Sequence, residues 1–458
     1  MKSDLVQNGS GLEKEPHLKR VLTLKYVVFF GLAYLAPTVV FNYYGIITES
    51  SRGMMALAYA ITTIVMFFTA YSYAQMVKAF PVAGSAYTYV RKAINPHLGF
   101  MTGWVMLLDY LLVPMICYLI VGIYINDFFP AIPVWTVVVV CAAIIAVINT
   151  IGVEVAGRIN MVVIIAQVGF TLLFIAVIIK FVMGGGGTGS LIDAHAVFNA
   201  PEFSLSGISA ASAILAVCFL GFDAVTTMAE ETKNPEKTIG KAVIIVCVGA
   251  GIAFAVISYF TQIAWPAAFS EFESSDAGIF ELLDRLQISF MSTLFFVIDN
   301  FASLICAMAG LAAVSRILYG MGRDGMLPKR FFGYLHPKYK TPVFNIILTS
   351  LIALTAIFYA DNLMGAASLI SFGALTGFIM VNLSVIFYYY IKLNKRRGAD
   401  IFRYLAMPLI GVAVCGYLWL SMESAAKLLG CGWLLIGFVY TAATTKFFSV
   451  MPPEMELD

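Results

Sequence analysis

Three aspartates lie inside long apolar stretches of the sequence, and they are the residues with the clearest chemical potential. They are Asp109, Asp223 and Asp299. An ionisable side chain at the depth of a membrane is costly and by default marks a function. A carboxylate in such a place can hold an ammonium group or take up a proton. Structural roles stay open as alternatives, because Asp223 can cap a helix and Asp109 can hydrogen-bond to neighbouring helices.

Aromatic residues accompany the three acids in the same apolar stretches. They are Tyr34, Tyr43, Tyr44, Tyr110, Phe219, Phe222 and Phe372. A carboxylate beside an aromatic face makes a suitable cage for an ammonium group, because the face of the ring attracts a cation. Each aromatic residue taken alone is a weak candidate, since an aromatic residue of an apolar segment more often faces lipid or the protein core.

Composition indicates what kind of element carries these residues. Of the 458 residues, 61% are hydrophobic and 12% are charged, and the mean hydropathy is +0.90. A soluble domain carries about 25% charged residues, so the sequence indicates an integral membrane protein. Its apolar segments run for roughly 18–28 residues, which suits helices across a ~30 Å core and not barrel strands of about 10 residues. The polar N-terminal stretch has no cleavable apolar core and is expected to be a cytoplasmic tail.

Cysteine and histidine give no sign of a metal or redox site. The seven cysteines all lie in apolar segments, their number is odd and no CxxC spacing occurs, so they are expected to be small buried side chains. All four histidines lie in loops or tails, which argues against a histidine metal site or an intramembrane histidine relay. No metal, cofactor or nucleic-acid partner is expected.

Apolar windows between polar breaks predict twelve membrane spans. Their bounds are 26–48, 54–79, 98–126, 134–150, 158–182, 207–229, 240–265, 288–316, 342–360, 363–391, 401–421 and 427–449. With the N-terminus inside, the cytoplasmic side holds every lysine and arginine of the 28 except Arg52, Lys180, Arg285 and Lys427, so both termini are predicted to be cytoplasmic. The acidic outer loop at about 266–287 is expected to be solvated, with weak attraction of cationic solutes as the alternative.

Two of the predicted spans are interrupted at their centres. The first reads GLAYLAPTVVFNYYG, with Pro37 in the middle and Asn42 at depth, and the sixth has Gly221 directly before Phe222. The two spans lie five apart, so the halves that they begin run in opposite directions. Paired interruptions of this kind are typical of inverted-repeat transporters with a binding site at the midplane of the membrane. A proline or glycine alone more often only kinks a membrane helix.

Three longer segments resemble signatures of the amino acid–polyamine–organocation transporters. They are FPVAGSAYTYVRKAINPHLGFMTGW, LGFDAVTTMAEETKNPEKTIGKA and SRILYGMGRDGMLPKRFFGYLHPKYKTP. Within that superfamily, GLAYLAPTVVF, LLDYLLVPMI and ISFGALTGFIMVNLSV look closest to the bacterial putrescine importers. The resemblance implies an all-α integral membrane fold of twelve transmembrane helices, with a five-plus-five inverted repeat and broken first and sixth helices. The implied parts are a tail at 1–25, repeats at 26–182 and 207–391, two extra spans at 401–449 and a tail at 450–458.

The resemblance also implies a substrate site between the two breaks, lined further by the third, eighth and tenth spans. Amino-acid members typically have a Gly-Ser/Thr-Gly run in the first break, so that bare N–H groups reach the α-carboxylate. Here the run is LAPTV from Leu35, in which proline removes a donor and Val39 blocks close approach. This departure favours a substrate that presents amines without an α-carboxylate. The predicted substrate-binding residues are Tyr34, Ala36, Pro37, Thr38, Asn42, Tyr43, Asp109, Tyr110, Phe219, Gly221, Phe222, Asp223, Asp299 and Phe372. Of these, Asp299 lies near the outer part of its predicted span and matches no acid expected from the relatives.

The energy source stays open at this point. Proton-coupled amino-acid members often have a lysine in the fifth span where this chain has Gln167, which cannot titrate but can hydrogen-bond to the first span. If protons are co-transported, Asp223 or Asp109 is the better candidate; membrane potential alone or exchange are the alternatives. Glu230 and Glu231 are expected to form a cytoplasmic gate or an ion-pair latch, with a solvated helix end as the alternative.

Three classes of function follow. The first is import of a cationic amine, putrescine or a related polyamine, across the cell membrane by alternating access. The second is an amino-acid permease or an amino acid/amine exchanger, which would carry a zwitterionic solute. The third is a non-transporting receptor or a membrane-bundle enzyme, which lacks support because the chain has no soluble catalytic domain, phosphate loop, CxxC or HExxH spacing. A monomer or a homodimer is expected.

Overall fold

In this computed structural model the described residues are 22–81, 86–151, 157–323, 325, 327–447 and 449. They fold largely into helices, and the β contact among them is an isolated parallel bridge between Leu22 and Thr232. The α-helices in chain order are α1 (Leu24–Tyr34), α2 (Val39–Asn42), α3 (Tyr44–Ser50), α4 (Met55–Ala79), α5 (Ala86–Ala93), α6 (Pro96–Phe128), α7 (Val134–Ile151), α8 (Gly157–Met183), α9 (Leu205–Leu215), α10 (Pro235–Ala264), α11 (Ala268–Glu271), α12 (Gly278–Arg285), α13 (Ser289–Arg323), α14 (Lys329–Phe332), α15 (Val343–Ala353), α16 (Leu363–Val385), α17 (Ala399–Ile401), α18 (Met407–Ser421) and α19 (Ser424–Thr444).

Ten helices of the described residues are long and apolar enough to cross a membrane, and Val343–Tyr359 is a shorter apolar helix. The chain is therefore a multi-pass, all-helical membrane protein. Most ends of these helices lie within a few residues of the ends of the predicted spans, because the length of the apolar run determines where a membrane helix begins and ends. Two features were not predicted: α13 continues to Arg323, and the short helix α5 lies between the second and third predicted spans.

Local sequence determines where several of the helices begin. Asn95 caps α6 by accepting the His97 N–H at 2.7 Å, and Pro96 follows as the first helical residue, where a missing N–H costs nothing. Asn362 caps α16 in the same way, since its side chain accepts the Gly365 N–H at 2.8 Å. These two helices carry residues of the predicted site.

The first predicted span is not a single helix. Helix α1 ends at Tyr34, α2 begins at Val39, and Ala36 between them has a left-handed backbone with φ +49°. Such a conformation is strained for a residue other than glycine. Pro37 adds to the interruption because it has no N–H to continue the helical ladder.

The sixth predicted span also changes its winding at its centre. Helix α9 passes into a 3₁₀ helix at Ala216–Phe219, and a second 3₁₀ helix runs over Ala224–Glu231. Between them Gly221 has φ +114°, a conformation that glycine adopts without strain. The inner part of the first span packs against this region, since a Cβ added at Gly31 would lie 2.6 Å from the Val225 side chain.

Small residues let the helices approach closely. A Cβ added at Gly240 of α10 would lie 3.2 Å from the Ala74 Cβ of α4. A Cβ added at Gly377 of α16 would lie 3.1 Å from the Met106 side chain of α6. Close packing at small residues is the usual way in which membrane helices associate, because lipid provides no hydrophobic drive between them.

The last two long helices pack against α6 and α16. Trp104 of α6 and Trp433 of α19 stack at 4.8 Å, and each indole N–H donates to the other residue's carbonyl, at 3.0 and 2.9 Å. We call this reciprocal contact the tryptophan clasp. It ties α19 to the helix that carries Asp109.

The acidic segment at 266–287 contains two short helices, and its acids Glu271, Glu273 and Asp284 are exposed as expected for a solvated segment. Phe280 of α12 is 3% exposed and packs edge-on against Tyr124 at 4.8 Å, and Phe272 contacts Tyr44 of α3 at 5.6 Å. Glu281 accepts the Ser274 N–H at 2.9 Å, so this acid also stabilises the segment's own backbone. The segment covers α3, the last helix of the first predicted span.

The expectation of seven buried cysteines was wrong in part. Five are buried, but Cys306 and Cys431 are exposed on the protein surface. Both lie on long helices whose apolar residues are outward-facing as well, such as Phe301 and Leu435. A small thiol is tolerated on such an apolar face.

Candidate functional site

The polar groups of the first break meet at the side chain of Asp299. The Thr38 hydroxyl lies 2.9 Å from Asp299 Oδ1 and 3.1 Å from Gln167 Oε1. Gln167 Oε1 also accepts the Thr38 N–H at 3.3 Å. All three side chains are buried, with exposed fractions of 1% for Thr38 and Asp299 and 3% for Gln167. The predicted hydrogen bond between the fifth and first spans is therefore confirmed.

Asn42 contributes a further donor to the same carboxylate. The orientation of its amide that satisfies its neighbours places the nitrogen 3.1 Å from both Oδ1 and Oδ2 of Asp299. Ser303, one turn further along α13, lies on the same side of the helix and within interaction range of Asp299. We refer to Thr38, Asn42, Gln167, Asp299 and Ser303 as the Asp299 network.

Asp299 is ten residues into α13, which corresponds to about 15 Å along the helix axis. Its hydrogen bond with Thr38 places it beside the first break. Its predicted position near the outer part of the span stays a prediction.

Four backbone N–H groups at the two breaks have internal acceptors. In the first break the Val39 N–H donates to Ala36 at 2.9 Å, and the Thr38 N–H is taken by Gln167. In the second, the Phe222 N–H donates to Phe219 at 3.3 Å and the Gly221 N–H to Asp223 Oδ1 at 3.3 Å. A substrate carboxylate would have to displace these internal acceptors.

Asp223 lies directly after the second break and is partly buried. Its Oδ1 accepts the Gly221 N–H, and its Oδ2 is 3.4 Å from the hydroxyl of Tyr73 on α4. Its backbone carbonyl accepts the Thr226 N–H at 2.8 Å. The residue thus both caps the turn and presents a carboxylate beside an aromatic hydroxyl.

Asp109 has the least compensated carboxylate of this region. It is 6% exposed, and its Oδ1 has no hydrogen-bond partner among the described residues. It interacts electrostatically with Asp223, so two acids from different spans face a common region. The space for its carboxylate exists because residue 373 of α16 is glycine: a Cβ there would collide with Asp109 Oδ1.

No basic side chain of the described residues neutralises the three aspartates. Asp299 has neutral hydrogen-bond partners, and neither Asp109 nor Asp223 has a lysine or arginine among its electrostatic partners. The ion pairs within the described residues join Arg52 to Glu202 and Arg285 to Glu271, and the side chains of both pairs are partly exposed. Negative charge inside a membrane protein without a basic partner requires protonation or a bound cation.

The predicted aromatic residues separate into two groups. Phe222 and Tyr73 contact edge-on at 5.7 Å, and Phe222 also contacts Phe378 at 5.4 Å. Tyr73 joins this group of rings to Asp223 through its hydroxyl. Tyr43 is 3% exposed and within electrostatic range of Asp299. Tyr110 is partly buried and within electrostatic range of Tyr73.

Phe219 and Phe372 face other partners. The ring of Phe219 packs edge-on against Phe254 of α10 at 6.1 Å. The ring of Phe372 contacts Trp419 of α18 at 5.4 Å and the backbone of Gly430 on α19. The structure thus orients Phe372 towards the last two long helices, away from the group around Asp223.

Several predicted residues are described only in part. Ala36 and Pro37 are partly buried and form the first break, but the side chain of Tyr34 lies outside the described residues. The same holds for the side chains of Glu230 and Glu231, so the predicted gate or latch stays a prediction.

Sequence reasoning missed Tyr73, Ser303 and Gly373. Tyr73 and Gly373 contact the predicted acids from α4 and α16, far away in sequence, so no local pattern could have pointed to them. Ser303 had a usable signal: it lies four residues after Asp299 and therefore on the same helix face.

Comparison with known proteins agrees with this architecture. The chain matches the family described as amino acid permease over residues 26–452. It is 37% identical over 457 residues to the low-affinity putrescine importer PlaP of Escherichia coli (strain K12), covering 100% of this chain and 99% of that protein. It is 25% identical to the branched-chain amino acid permease BcaP of Bacillus subtilis (strain 168), covering 95% and 94% of the two chains.

A more distant relative is the vacuolar cationic amino acid transporter 2 of Arabidopsis thaliana, at 26% identity over 85% of this chain and 63% of that protein. The family match spans almost all of the described helices. This multi-pass membrane protein therefore belongs to the amino acid permease family, within the amino acid–polyamine–organocation superfamily of transporters.

Proposed function

We propose that this permease imports putrescine or a closely related diamine across the plasma membrane by alternating access. The observation that carries the proposal is the uncompensated negative charge of Asp109, Asp223 and Asp299 at the depth of the two breaks. A diamine brings two ammonium groups to a region that lacks basic side chains. The name of the Escherichia coli relative supports the same substrate class.

The state of the backbone supports an amine without an α-carboxylate. The Thr38, Val39 and Gly221 N–H groups, which would be the natural partners of a carboxylate at the breaks, have internal acceptors. A carboxylate would also approach three aspartates, and like charges at short range repel. An amine experiences neither obstacle.

We infer that one ammonium group binds at Asp109 and Asp223. The free Oδ1 of Asp109 and the Oδ2 of Asp223 offer acceptors, and Tyr73, Tyr110 and Phe222 offer aromatic surfaces nearby. The remaining predicted residues of the first break, together with Tyr43, line the path towards Asp299. Phe219 and Phe372 support the site through packing and do not contact substrate.

The proposed topology has twelve spans and cytoplasmic termini. Ten long helices, the helix Val343–Tyr359 and the interrupted segment from Leu24 to Ser50 support that count. The two repeats would be 26–182 and 207–391, with 401–449 outside them and tails at 1–25 and 450–458. A reporter fused after Asp458 that is active only in the cytoplasm tests the orientation: activity is expected, and its absence would contradict the topology.

The second candidate is an amino-acid permease or an amino acid/amine exchanger. It is favoured by the similarity to BcaP and to the plant cationic amino acid transporter. Ornithine separates the two candidates, because it is putrescine with an added α-carboxylate.

The test is uptake of labelled putrescine into proteoliposomes with excess unlabelled competitor. We expect cadaverine and unlabelled putrescine to abolish uptake, ornithine and leucine to have little effect, and Asp223→Asn to lose most of the activity. Uptake of leucine or ornithine with no uptake of putrescine would overturn the proposal in favour of the permease.

A further inference from the structure

The Asp299 network contains a hydroxyl with two acceptors and one hydrogen. Thr38 Oγ1 lies 2.9 Å from Asp299 Oδ1 and 3.1 Å from Gln167 Oε1, and both distances suit a hydrogen bond. A threonine hydroxyl can donate only once at a time. The hydrogen therefore points either to the eighth predicted span or to the fifth.

The protonation state of Asp299 decides between these two arrangements. When Asp299 is ionised it has no proton to give, so the Thr38 hydroxyl donates to its Oδ1. When Oδ1 takes up a proton, its O–H needs an acceptor, and Thr38 Oγ1 is the nearest one. The Thr38 hydrogen then turns to Gln167 Oε1, and the Asn42 amide continues to donate to Oδ2. One proton is added to Asp299, and every other hydrogen stays on the atom to which it is bonded.

The groups around Asp299 make it the proton acceptor of this network. Those facing it or lying within electrostatic range are hydroxyl and thiol groups, namely Tyr43 of the first span, Cys117 and Tyr124 of α6, and Cys306 of α13. Its hydrogen-bond partners Thr38 and Asn42 carry no charge. Asp299 is the carboxyl group of this network, and a carboxylate is the natural proton acceptor among such groups.

We propose that Asp299 is the proton-coupling residue of transport and that Thr38 transmits its protonation to Gln167 by reversing a hydrogen bond. When Asp299 is protonated, the Thr38 hydroxyl donates to Gln167 and joins the first break to the fifth span. When Asp299 is ionised, the same hydroxyl donates to Asp299 and joins the break to the eighth span. The backbone of the first break is strained at Ala36, so its conformation depends on the contacts that hold it. Moving the Thr38 hydrogen bond between Gln167 and Asp299 therefore changes which backbone conformation of the break is more stable. The transport readout of this inference rests on the proposed import of putrescine.

The first test compares putrescine uptake into proteoliposomes with and without an inward proton gradient, at a membrane potential clamped to zero. One co-transported proton gives up to about tenfold stimulation per pH unit. We expect a clear stimulation in the wild type, a ratio of about one in Asp299→Asn and Thr38→Val, and a wild-type ratio in Thr38→Ser, which keeps the hydroxyl. Asp193→Asn in an outer loop is the matched control, since asparagine retains its cap on the His195 N–H.

Stimulation retained in Asp299→Asn, or equal ratios for Thr38→Val and Thr38→Ser, would overturn the proposal. Putrescine uptake without any stimulation in the wild type would overturn it too, while leaving the import function intact.

A second test needs no substrate. Infrared difference spectra of the purified protein across a pH titration should contain the carbonyl band of a protonated carboxyl group in the wild type. We expect one component of that band to be lost in Asp299→Asn and the same component to shift in Thr38→Val, which lacks the acceptor for the carboxyl O–H. Components that remain in Asp299→Asn belong to other buried acids such as Asp109 and Asp223. If the wild type moves no putrescine, this spectrum still decides: an unchanged band in Asp299→Asn contradicts the proposal.

Discussion

At the scale of single residues, Asp109 combines burial with an unsatisfied oxygen. Its Oδ1 has no hydrogen-bond partner among the described residues, and Asp223 lies within electrostatic range. A buried polar group without a partner costs about 1–3 kcal/mol, and a charged one costs more. The empty protein is thus destabilised by a group that an ammonium ion would satisfy.

We therefore predict opposite effects of Asp109→Asn on stability and on transport. Removing the charge should raise the midpoint of thermal unfolding of the substrate-free protein in detergent. It should also raise the KM for putrescine by about tenfold or more, because one charge-assisted contact worth about 1.5–3 kcal/mol is lost. A lower unfolding midpoint together with an unchanged KM would contradict this role of Asp109.

Gly373 gives the second prediction at this scale. A Cβ at this position would collide with Asp109 Oδ1 and lie 3.0 Å from the Val105 carbonyl, so Gly373→Ala must push α6 and α16 apart. Overpacking of this kind costs about 1–3 kcal/mol. We expect a lower unfolding midpoint and loss of most putrescine uptake.

Gly249→Ala on α10 is the matched control, because a Cβ there meets nothing within 4 Å. Alanine is the better helix former by about 1 kcal/mol, so this variant should be as stable as the wild type or more so. Equal behaviour of the two variants would refute the packing argument.

At the scale of elements, the two breaks differ in how well their residues suit their backbone. Gly221 adopts φ +114° without strain, but Ala36 at φ +49° carries a Cβ in the left-handed region, which costs roughly 1–2 kcal/mol. We predict that Ala36→Gly stabilises the protein and that Gly221→Ala destabilises it. Thermal unfolding of both variants checks the pair, and a shift of the same sign in both would contradict the geometry of the breaks.

The tryptophan clasp makes α19 part of the transporter's scaffold. Trp433→Phe removes the indole donor to the Trp104 carbonyl, a contact of 2.9 Å, and reduces the stacking area. The hydrogen bond alone is worth about 0.5–1.5 kcal/mol. We expect a lower unfolding midpoint than in Trp135→Phe, whose indole is 54% exposed on α7. Equal unfolding midpoints in the two variants would show that the tryptophan clasp does not stabilise the protein.

The position of most helices was predictable from the sequence. The 3₁₀ segments within the spans and the contacts between distant side chains were not. The apolar run of 54–79 became Met55–Ala79 because run length alone decides such a helix. The contact of Thr38 with Asp299 joins residues 261 positions apart, and nothing local in either segment encodes it. Phe372 shows the same limit, since the choice between the site and Trp419 depends on how the last helices pack.

At the scale of the whole molecule, the distribution of charge supports the proposed import of a cation. Three aspartates lie at the depth of the breaks. No lysine or arginine of the described residues is among their electrostatic partners. A negative interior potential draws in a cation with about 2.3 kcal/mol per charge per 100 mV, so a dication benefits twice. The acidic segment at 266–287 packs against α3 through the contact of Phe272 with Tyr44.

We expect the site to bind an amine and to reject its α-carboxylate. Calorimetric titration of the purified protein with putrescine and with ornithine, under identical buffer conditions, measures this selectivity. Putrescine should bind at least about tenfold more tightly, a difference of roughly 1.4 kcal/mol. Ornithine binding as tightly as putrescine, or more tightly, would contradict this expectation.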